Sequence, residues 1–224
     1  MKTALSAHTP YASRITHRQW LTGDVFTLRL ARPPEFAFTA GQRVRLHLGG
    51  EVRDYSLIPG PGPDELEFLI RSVADGIVSS HLSRCPLNTI LPFSEPSGHF
   101  IYRPSPRQAV FIATGTGIAP FAAMCRSGAE GFIVLHGVRK AGELYYRDQL
   151  EPSAVRFVAC LTEPESPTPP IGIFGGRVTQ YLRTCLPPGA YDFYIAGRRE
   201  MIADAMAIID DRFPTSRVYT EIFF

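Results

Sequence analysis

The chain has 224 residues, 45% of them hydrophobic and 20% charged, and a formal net charge of +2. That is the composition of an ordinary globular protein, long enough for one large domain or two small ones. The near-balanced charge, with no basic run among aromatics, argues against nucleic acid, and no window reaches the ~18 apolar residues of a membrane span. Residues 3–7 are too short and polar for the core of a signal peptide. The four cysteines, Cys85, Cys125, Cys160 and Cys185, lie far apart without a C-x-x-C pair. That spacing suits neither zinc nor an iron–sulfur cluster, so no metal is expected, and free thiols in a reducing cytoplasm are.

In chain order, residues 1–10 read as a frayed lead-in. Short strand-like runs follow. The pattern over 13–20 is weak. Residues 25–30 alternate Val25, Thr27 and Arg29 against Phe26, Leu28 and Leu30, and residues 43–48 alternate Val44, Leu46 and Leu48 against Arg43, Arg45 and His47. Residues 53–57 form another strand, 65–73 carry Leu66, Phe68 and Ile70 at period two, and 89–93 close the series. Pro33-Pro34, Gly41, Gly49-Gly50 and the run Gly60-Pro61-Gly62-Pro63 supply the turns. One helix over 77–84, begun at Asp75-Gly76, interrupts them. Many short strands with Gly/Pro turns predict an antiparallel barrel or sandwich.

From Gln108 the rhythm changes. Apolar runs at 110–113, 132–138, 155–161, 193–196 and 218–223 alternate with helical patterns at 118–126, 144–150, 178–186 and 200–211. This alternation predicts a parallel sheet wrapped by helices, with ligands at the carboxyl ends of its strands. Residues 164–170 form a proline-rich rim after the third strand.

Three stretches carry chemistry. The first is 109–120, A-V-F-I-A-T-G-T-G-I-A-P. A buried strand runs into a glycine turn and a helix whose first turn holds Pro120. Unpaired N–H groups and a helix dipole there suit a dinucleotide pyrophosphate. It departs from the G-x-G-x-x-G fingerprint, because Pro120 holds the third glycine position. A plain tight turn would also explain it. The second is Arg53-Asp54-Tyr55-Ser56-Leu57. Arg53 and Tyr55 share a face, as i and i+2 must on a strand, and a cation beside a flat aromatic suits a flavin or nucleotide. A half-exposed edge strand is the plainer reading. The third is 76–82, where Gly76 frees backbone N–H groups and Ser79 offers a hydroxyl at a helix start. If the strands ending at Gly115/Gly117 and at Gly197 are neighbours, their glycines open one crevice.

In this order the motifs resemble the ferredoxin–NADP reductase superfamily. Arg53-x-Tyr55-Ser56 is similar to its flavin motif, and Gly76-x-x-Ser79-x-x-Leu82 to its flavin-pyrophosphate helix. Gly115-Thr116-Gly117-Ile118-Ala119-Pro120 is similar to its nicotinamide-dinucleotide loop. Ala196-Gly197-x-x-x-Met201 and the ending Glu221-Ile222-Phe223-Phe224 are similar to its last two motifs. The resemblance spans residues 12–224. It implies two domains: an antiparallel Greek-key β-barrel that binds FAD, residues 1–104, then an α/β parallel-sheet domain that binds NAD(P), residues 105–224. By this likeness Arg53 grips the flavin phosphate, Tyr55 lies against the isoalloxazine, and Ser56 approaches flavin N5. Ile70, Val73, Gly76, Val78 and Ser79 line the rest of the flavin site. Gly115, Thr116, Gly117 and Gly197 face the nicotinamide coenzyme. Glu221 forms a polar pair with Ser56, and Phe223 covers the flavin; Ser56, Glu221 and Phe223 are the catalytic set.

The resemblance implies hydride transfer from NAD(P)H to flavin, then electron delivery to a separate ferredoxin, flavodoxin or oxygenase component. FMN is the alternative flavin. An NAD(P)H:free-flavin reductase and a flavin-carrying relay subunit of a larger complex are the alternative functions. A monomer is expected. The exposed arginines Arg14, Arg18 and Arg43 are candidates to meet an acidic carrier. Many relatives have Cys where Ala196 stands. Thr162-Glu163 stands where NADP-dependent relatives often have Ser-Arg, which favours NADH, whereas Arg139, Lys140 and Arg147 favour a phosphate. Phe223 and Phe224 read as a lid over the flavin.

Overall fold

The computed structural model describes residues 10–48, 50–166 and 172–223. The lead-in, Gly49, most of the proline-rich rim and Phe224 lie outside the described residues. The chain divides into two compact units, Met1–Ile101 and Tyr102–Phe224.

The first unit holds β1 (Tyr11–Trp20), β2 (Val25–Ala31), β3 (Arg43–Leu48), β4 (Glu51–Ser56), β5 (Ile58–Pro59), β6 (Glu65–Arg71), α1 (Ile77–Leu82) and β7 (Ile90–Phe93). Its sheet is antiparallel, in the order β4-β3-β7-β1-β2-β6-β5. The two edge strands, β4 and β5, are separated in the chain by Leu57 alone. The sheet therefore curls until its edges nearly meet, which makes it a barrel rather than a sandwich. A register shift between Ile15 and His17 helps it curl. Tyr11–Arg14 pair with β7, and Ile15 and His17–Trp20 pair with β2, the shift falling inside the β2 pairing. Leu57, Phe26, Leu28, Phe68 and Phe93 fill the interior. Each fully buried side chain of this size contributes roughly 1.5–3 kcal/mol.

The polar face of β2 is also covered. Thr27 is 5% exposed, and Arg29 donates to the buried Glu67 across the β2–β6 ladder at 3.0 Å. Two arginines offered by the sequence as carrier-facing are used within the barrel instead. Arg18 donates to the carbonyls of Leu82 and Cys85, tying β1 to the end of α1, and Arg43 pairs with Asp54 at 2.9 Å. Arg14 is exposed.

The second unit holds β8 (Gln108–Thr114), α2 (Ala119–Arg126), β9 (Phe132–Val138), α3 (Arg147–Leu150), β10 (Ala154–Leu161), β11 (Ile173–Gly175), α4 (Val178–Thr184), β12 (Tyr191–Arg198), α5 (Arg199–Arg212) and β13 (Arg217–Phe223). All its strands are parallel, in the order β11-β10-β9-β8-β12-β13. The chain runs outward from β8 on one side, then returns to lay β12 on the other. That reversal places a topological switch point between β8 and β12.

One predicted helix is shortened. Over 144–150 only Arg147–Leu150 is α-helical, because Tyr146 adopts φ +58, a left-handed conformation that interrupts the turn. The Glu143 side chain folds back to accept the Arg139 backbone N–H. Among the described residues no helix is long and apolar enough to cross a membrane.

Candidate functional site

In the first unit the predicted residues fall on β4, β6 and the segment leading into α1, and α1 packs against β4. Tyr55 lies on the barrel side of β4 with its ring edge-on to Phe68, at 6.4 Å between centroids. Burial raises its phenol to about 12, against a smaller downward pull from Arg53. The ring is therefore neutral at pH 7, a flat apolar surface with one O–H donor. Arg53 is half exposed; it meets Glu51 at 3.2 Å and donates to the Val52 carbonyl. An exposed pair of this kind is worth ~0–1 kcal/mol, so a phosphate can displace Glu51. Ser56 is buried at the end of the strand.

The 72–79 segment is built around Ser79. Its Oγ accepts the Val73 N–H at 3.2 Å, which leaves the hydroxyl proton available to a ligand. Gly76 has φ −83, so glycine is needed here for space and not for backbone freedom. A Cβ at Gly76 would sit 2.6 Å from Ser79 Oγ. Ser80 is the first residue of α1 to bond back, to the Gly76 carbonyl, so the amides of Ile77, Val78 and Ser79 point off the helix end. Glycine at the N-cap offers no side chain to cap them. Val73 is exposed. Ile70 and Val78 have their side chains in the barrel core, so any ligand contact from them runs through the main chain. The cation, the neutral ring, the hydroxyl and the free amides fit a flavin dinucleotide.

In the second unit the site is backbone. Thr114 ends β8, and Gly115–Ile118 makes a 3-10 turn that runs into α2, with Pro120 in its first turn. Gly115 takes φ +53 and Gly197 takes φ +146, conformations that glycine adopts without the Cβ penalty. β8 and β12 are neighbours, Ala113 opposite Ala196, as the crevice expectation required. The glycines do not simply open space, however. A Cβ on Gly117 would lie 2.5 Å from the Ala196 carbonyl oxygen, and one on Gly197 would strike Thr114 Oγ1. They let the turn after β8 press onto the end of β12. Thr114 Oγ1 is buried there without a partner among the described residues. An orphaned hydroxyl at the switch point, beside a glycine turn, fits the polar end of a dinucleotide.

β13 places Glu221 opposite Ala196, and Phe223 opposite Arg198. Ser56 belongs to the first unit, Glu221 and Phe223 to the second. At the ends of β9 and β10, each cation weighed as a phosphate ligand has an acidic neighbour. Arg139 meets Glu143 at 2.9 Å, Lys140 meets Glu163 at 3.9 Å, and Arg147 meets Glu151 at 2.9 Å. The Glu163 N–H donates to the Arg139 carbonyl, which joins the two loops. Sequence reasoning passed over Thr114 and His136. The signal for His136 was a single histidine inside the apolar run F-I-V-L-H-G-V.

An antiparallel barrel followed by a parallel unit with a glycine turn at its switch point is the fold of a two-part flavin and nicotinamide-dinucleotide oxidoreductase class. The family models agree. The oxidoreductase FAD-binding domain matches residues 13–102, and the oxidoreductase NAD-binding domain matches residues 111–207. The chain belongs to the ferredoxin–NADP reductase-like flavoprotein superfamily.

Similar proteins include the toluate 1,2-dioxygenase electron transfer component of Pseudomonas putida, 31% identical over 86% of this chain and 61% of that one. Ferredoxin–NADP reductase B of Sorangium cellulosum is 38% identical over 63% of this chain and 64% of that one. A ferredoxin NADP+ reductase from Neisseria gonorrhoeae, solved with bound FAD and NADP, superposes with a TM-score of 0.81 at 26% identity, covering 96% of this chain and 98% of that one. The chain spans 61%, 34% and 64% of the length of three curated relatives it matches.

Proposed function

We propose that this chain is an NAD(P)H-dependent flavoprotein reductase, taking hydride from a nicotinamide coenzyme and passing electrons to a carrier such as ferredoxin, flavodoxin or an oxygenase component. The observation that supports this reading is that one chain holds an antiparallel barrel matching an FAD-binding domain and a parallel unit matching an NAD-binding domain. Residues 1–104 are proposed as the FAD-binding domain and 105–224 as the NAD(P)-binding domain. FAD supplies the exchange between a hydride pair and single electrons. Arg53 and the Ser79 hydroxyl hold phosphate, with the amides of Ile77–Ser79. Val73, Gly76 and the main chain at Ile70 and Val78 shape the same pocket. Tyr55 offers a neutral ring to the flavin plane and excludes water from it. Gly115, Thr116, Gly117 and Gly197 receive the coenzyme, and Ser56, Glu221 and Phe223 are proposed for the hydride-transfer step on the family resemblance.

NADH is the proposed coenzyme. Glu163 sets an exposed carboxylate in the loop after β10, where the resemblance puts the adenosine ribose, and a 2′-phosphate there would meet like charge. The free cysteines support a cytoplasmic setting. The test is the absorption spectrum of the purified protein, then anaerobic mixing with NADH or NADPH, then titration with candidate carriers. Flavin bleaching by NADH followed by carrier reduction is the expected result. A protein that takes up no flavin, or whose flavin no nicotinamide coenzyme bleaches, refutes the reading. Bleaching that free flavin relieves and no carrier does would instead identify a flavin reductase.

A further inference from the structure

His136 lies on β9 with no solvent exposure. It alternates with Phe132 and Val134 on one face of the strand, the face whose neighbour Phe111 stacks on Phe121 of α2. Its Nε2 is 3.0 Å from the carbonyl oxygen of Gly115. A carbonyl only accepts, so Nε2 carries the proton and the ring donates. Nδ1 then holds the lone pair, and it has no partner among the described residues. Burial drives the ring down to about 4, against smaller opposing pulls from the Gly115 carbonyl and Glu143. The ring is neutral across the physiological range, so this donor is present at every working pH.

The consequence lies in the geometry of one peptide group. The Gly115 carbonyl and the Thr116 N–H belong to the same planar trans unit, where they point in opposite directions. A donor beneath the loop that holds the carbonyl against β9 therefore turns the Thr116 N–H away from β9. Gly115, at φ +53, permits this orientation without a Cβ penalty. The 3-10 bonds of Gly115–Ile118 hold this peptide along the turn, and His136 ties the turn to β9; without that tie the turn can tilt and carry the Thr116 N–H off an anionic ligand.

We propose that His136 is a positioning residue for the nicotinamide coenzyme, which sets the direction of the Gly115–Thr116 peptide from beneath. This rests on the reading of the Gly115–Gly117 turn as the dinucleotide site. Its chemistry explains a histidine in an apolar strand: a fixed, uncharged donor at the level of the turn.

The test uses the full chain loaded with FAD, titrated with NAD+ by calorimetry and mixed anaerobically with NADH at rising concentration to follow flavin bleaching. Two variants are compared with the parent. His136→Leu removes the donor. His136→Gln keeps an N–H the same number of bonds from Cα. The leucine variant should bind NAD+ about tenfold more weakly, and glutamine should return affinity to within about threefold of the parent. In both, FAD content should be unchanged, and KM for NADH should change more than kcat at saturation. Should the leucine variant not fold, His136→Met, unbranched and without a donor, takes its place. Parent-like binding by the donor-free variant overturns the inference, as does glutamine binding as weakly as leucine while folded. A parent that binds neither NAD+ nor NADH overturns the reading of the site and this inference together. A parent that binds, with both variants indistinguishable from it, overturns the inference alone.

Discussion

The sites proposed in the two units are built in different ways. In the barrel the site is mostly side chains: Arg53 and Tyr55 on one strand face, and Ser79 holding its own loop by an Oγ contact to the Val73 N–H. In the parallel unit it is mostly main chain, with Gly115, Gly117 and Gly197 placed where a Cβ is strained or would collide. A strand edge exposes side chains, whereas a crossover turn at a switch point exposes peptide groups. Side-chain sites should therefore lose function in graded steps when trimmed. Main-chain sites should fail when anything is added.

The strongest test of that contrast is Gly197→Ala. Backbone strain at φ +146 costs ~1–3 kcal/mol, and the overlap with Thr114 costs ~1–3 kcal/mol more. The only tryptophan, Trp20, lies in the first unit, while α2–α5 lie in the second. Urea unfolding followed by helical circular dichroism should shift to lower urea while the Trp20 fluorescence transition stays. If both move together, the halves unfold as one and the contrast fails at the level of stability.

The next effect is acid sensitivity of the second unit. His136 titrates at about 4 in the fold and near 6.5 when unfolded. The unfolded chain thus binds the extra proton between those values, and stability falls as pH drops from 6.5 through 4. The full loss is about 3 kcal/mol. His136→Gln should show a shallower loss of denaturation midpoint over that window. Parallel pH curves for the two proteins would show that His136 does not remain neutral in the fold.

Arg53→Ala sharpens the side-chain half of the comparison. Loss of a charge-assisted phosphate contact should weaken FAD by ~1.5–3 kcal/mol, roughly ten- to hundredfold in Kd. Ser56→Ala should loosen FAD less and slow flavin bleaching by NADH more. Fluorescence titration of apoprotein with FAD decides; equal losses from both substitutions would dissolve the assigned division of roles.

The smallest effect is expected at Glu163, an exposed side chain on a main-chain site. Glu163→Arg removes a repulsion of about 1 kcal/mol towards a 2′-phosphate and frees Lys140. The kcat/KM ratio for NADH over NADPH should fall by about tenfold. A parent that already prefers NADPH tenfold, or a ratio that does not move, would sink the NADH reading.

Legibility in the sequence followed local physics. Residues 132–138 stand as predicted, because a run apolar but for His136 and Gly137 fits a strand in a sheet buried on both faces. Residues 13–20 read weakly because the register shift after Ile15 breaks the alternation within the β2 pairing, and the strand has passed from β7 to β2 just before it. β5 and β11 were missed, being two and three residues long. The family was legible from the Arg53, Ser79 and Gly115 motifs, because their residue types recur at fixed spacing, and the FAD-binding and NAD-binding domain models match the two halves that hold them. Arg18 and Arg43 looked like surface charges, and only their distant partners, the Leu82 and Cys85 carbonyls and Asp54, show otherwise.

The sequence by itself determined the change from period-two strands to alternating strands and helices, and the order of the motifs on which the family resemblance rests. Both are written in neighbouring residues. The tertiary structure alone decided which strand ends lie side by side. Pairing β8 with β12 rather than leaving them strangers 80 residues apart makes Gly117 and Gly197 a steric necessity. Seating His136 beneath the Gly115 carbonyl makes an apolar strand's histidine part of a turn. Such contacts depend on register between distant segments, and no local pattern of side chains encodes that register.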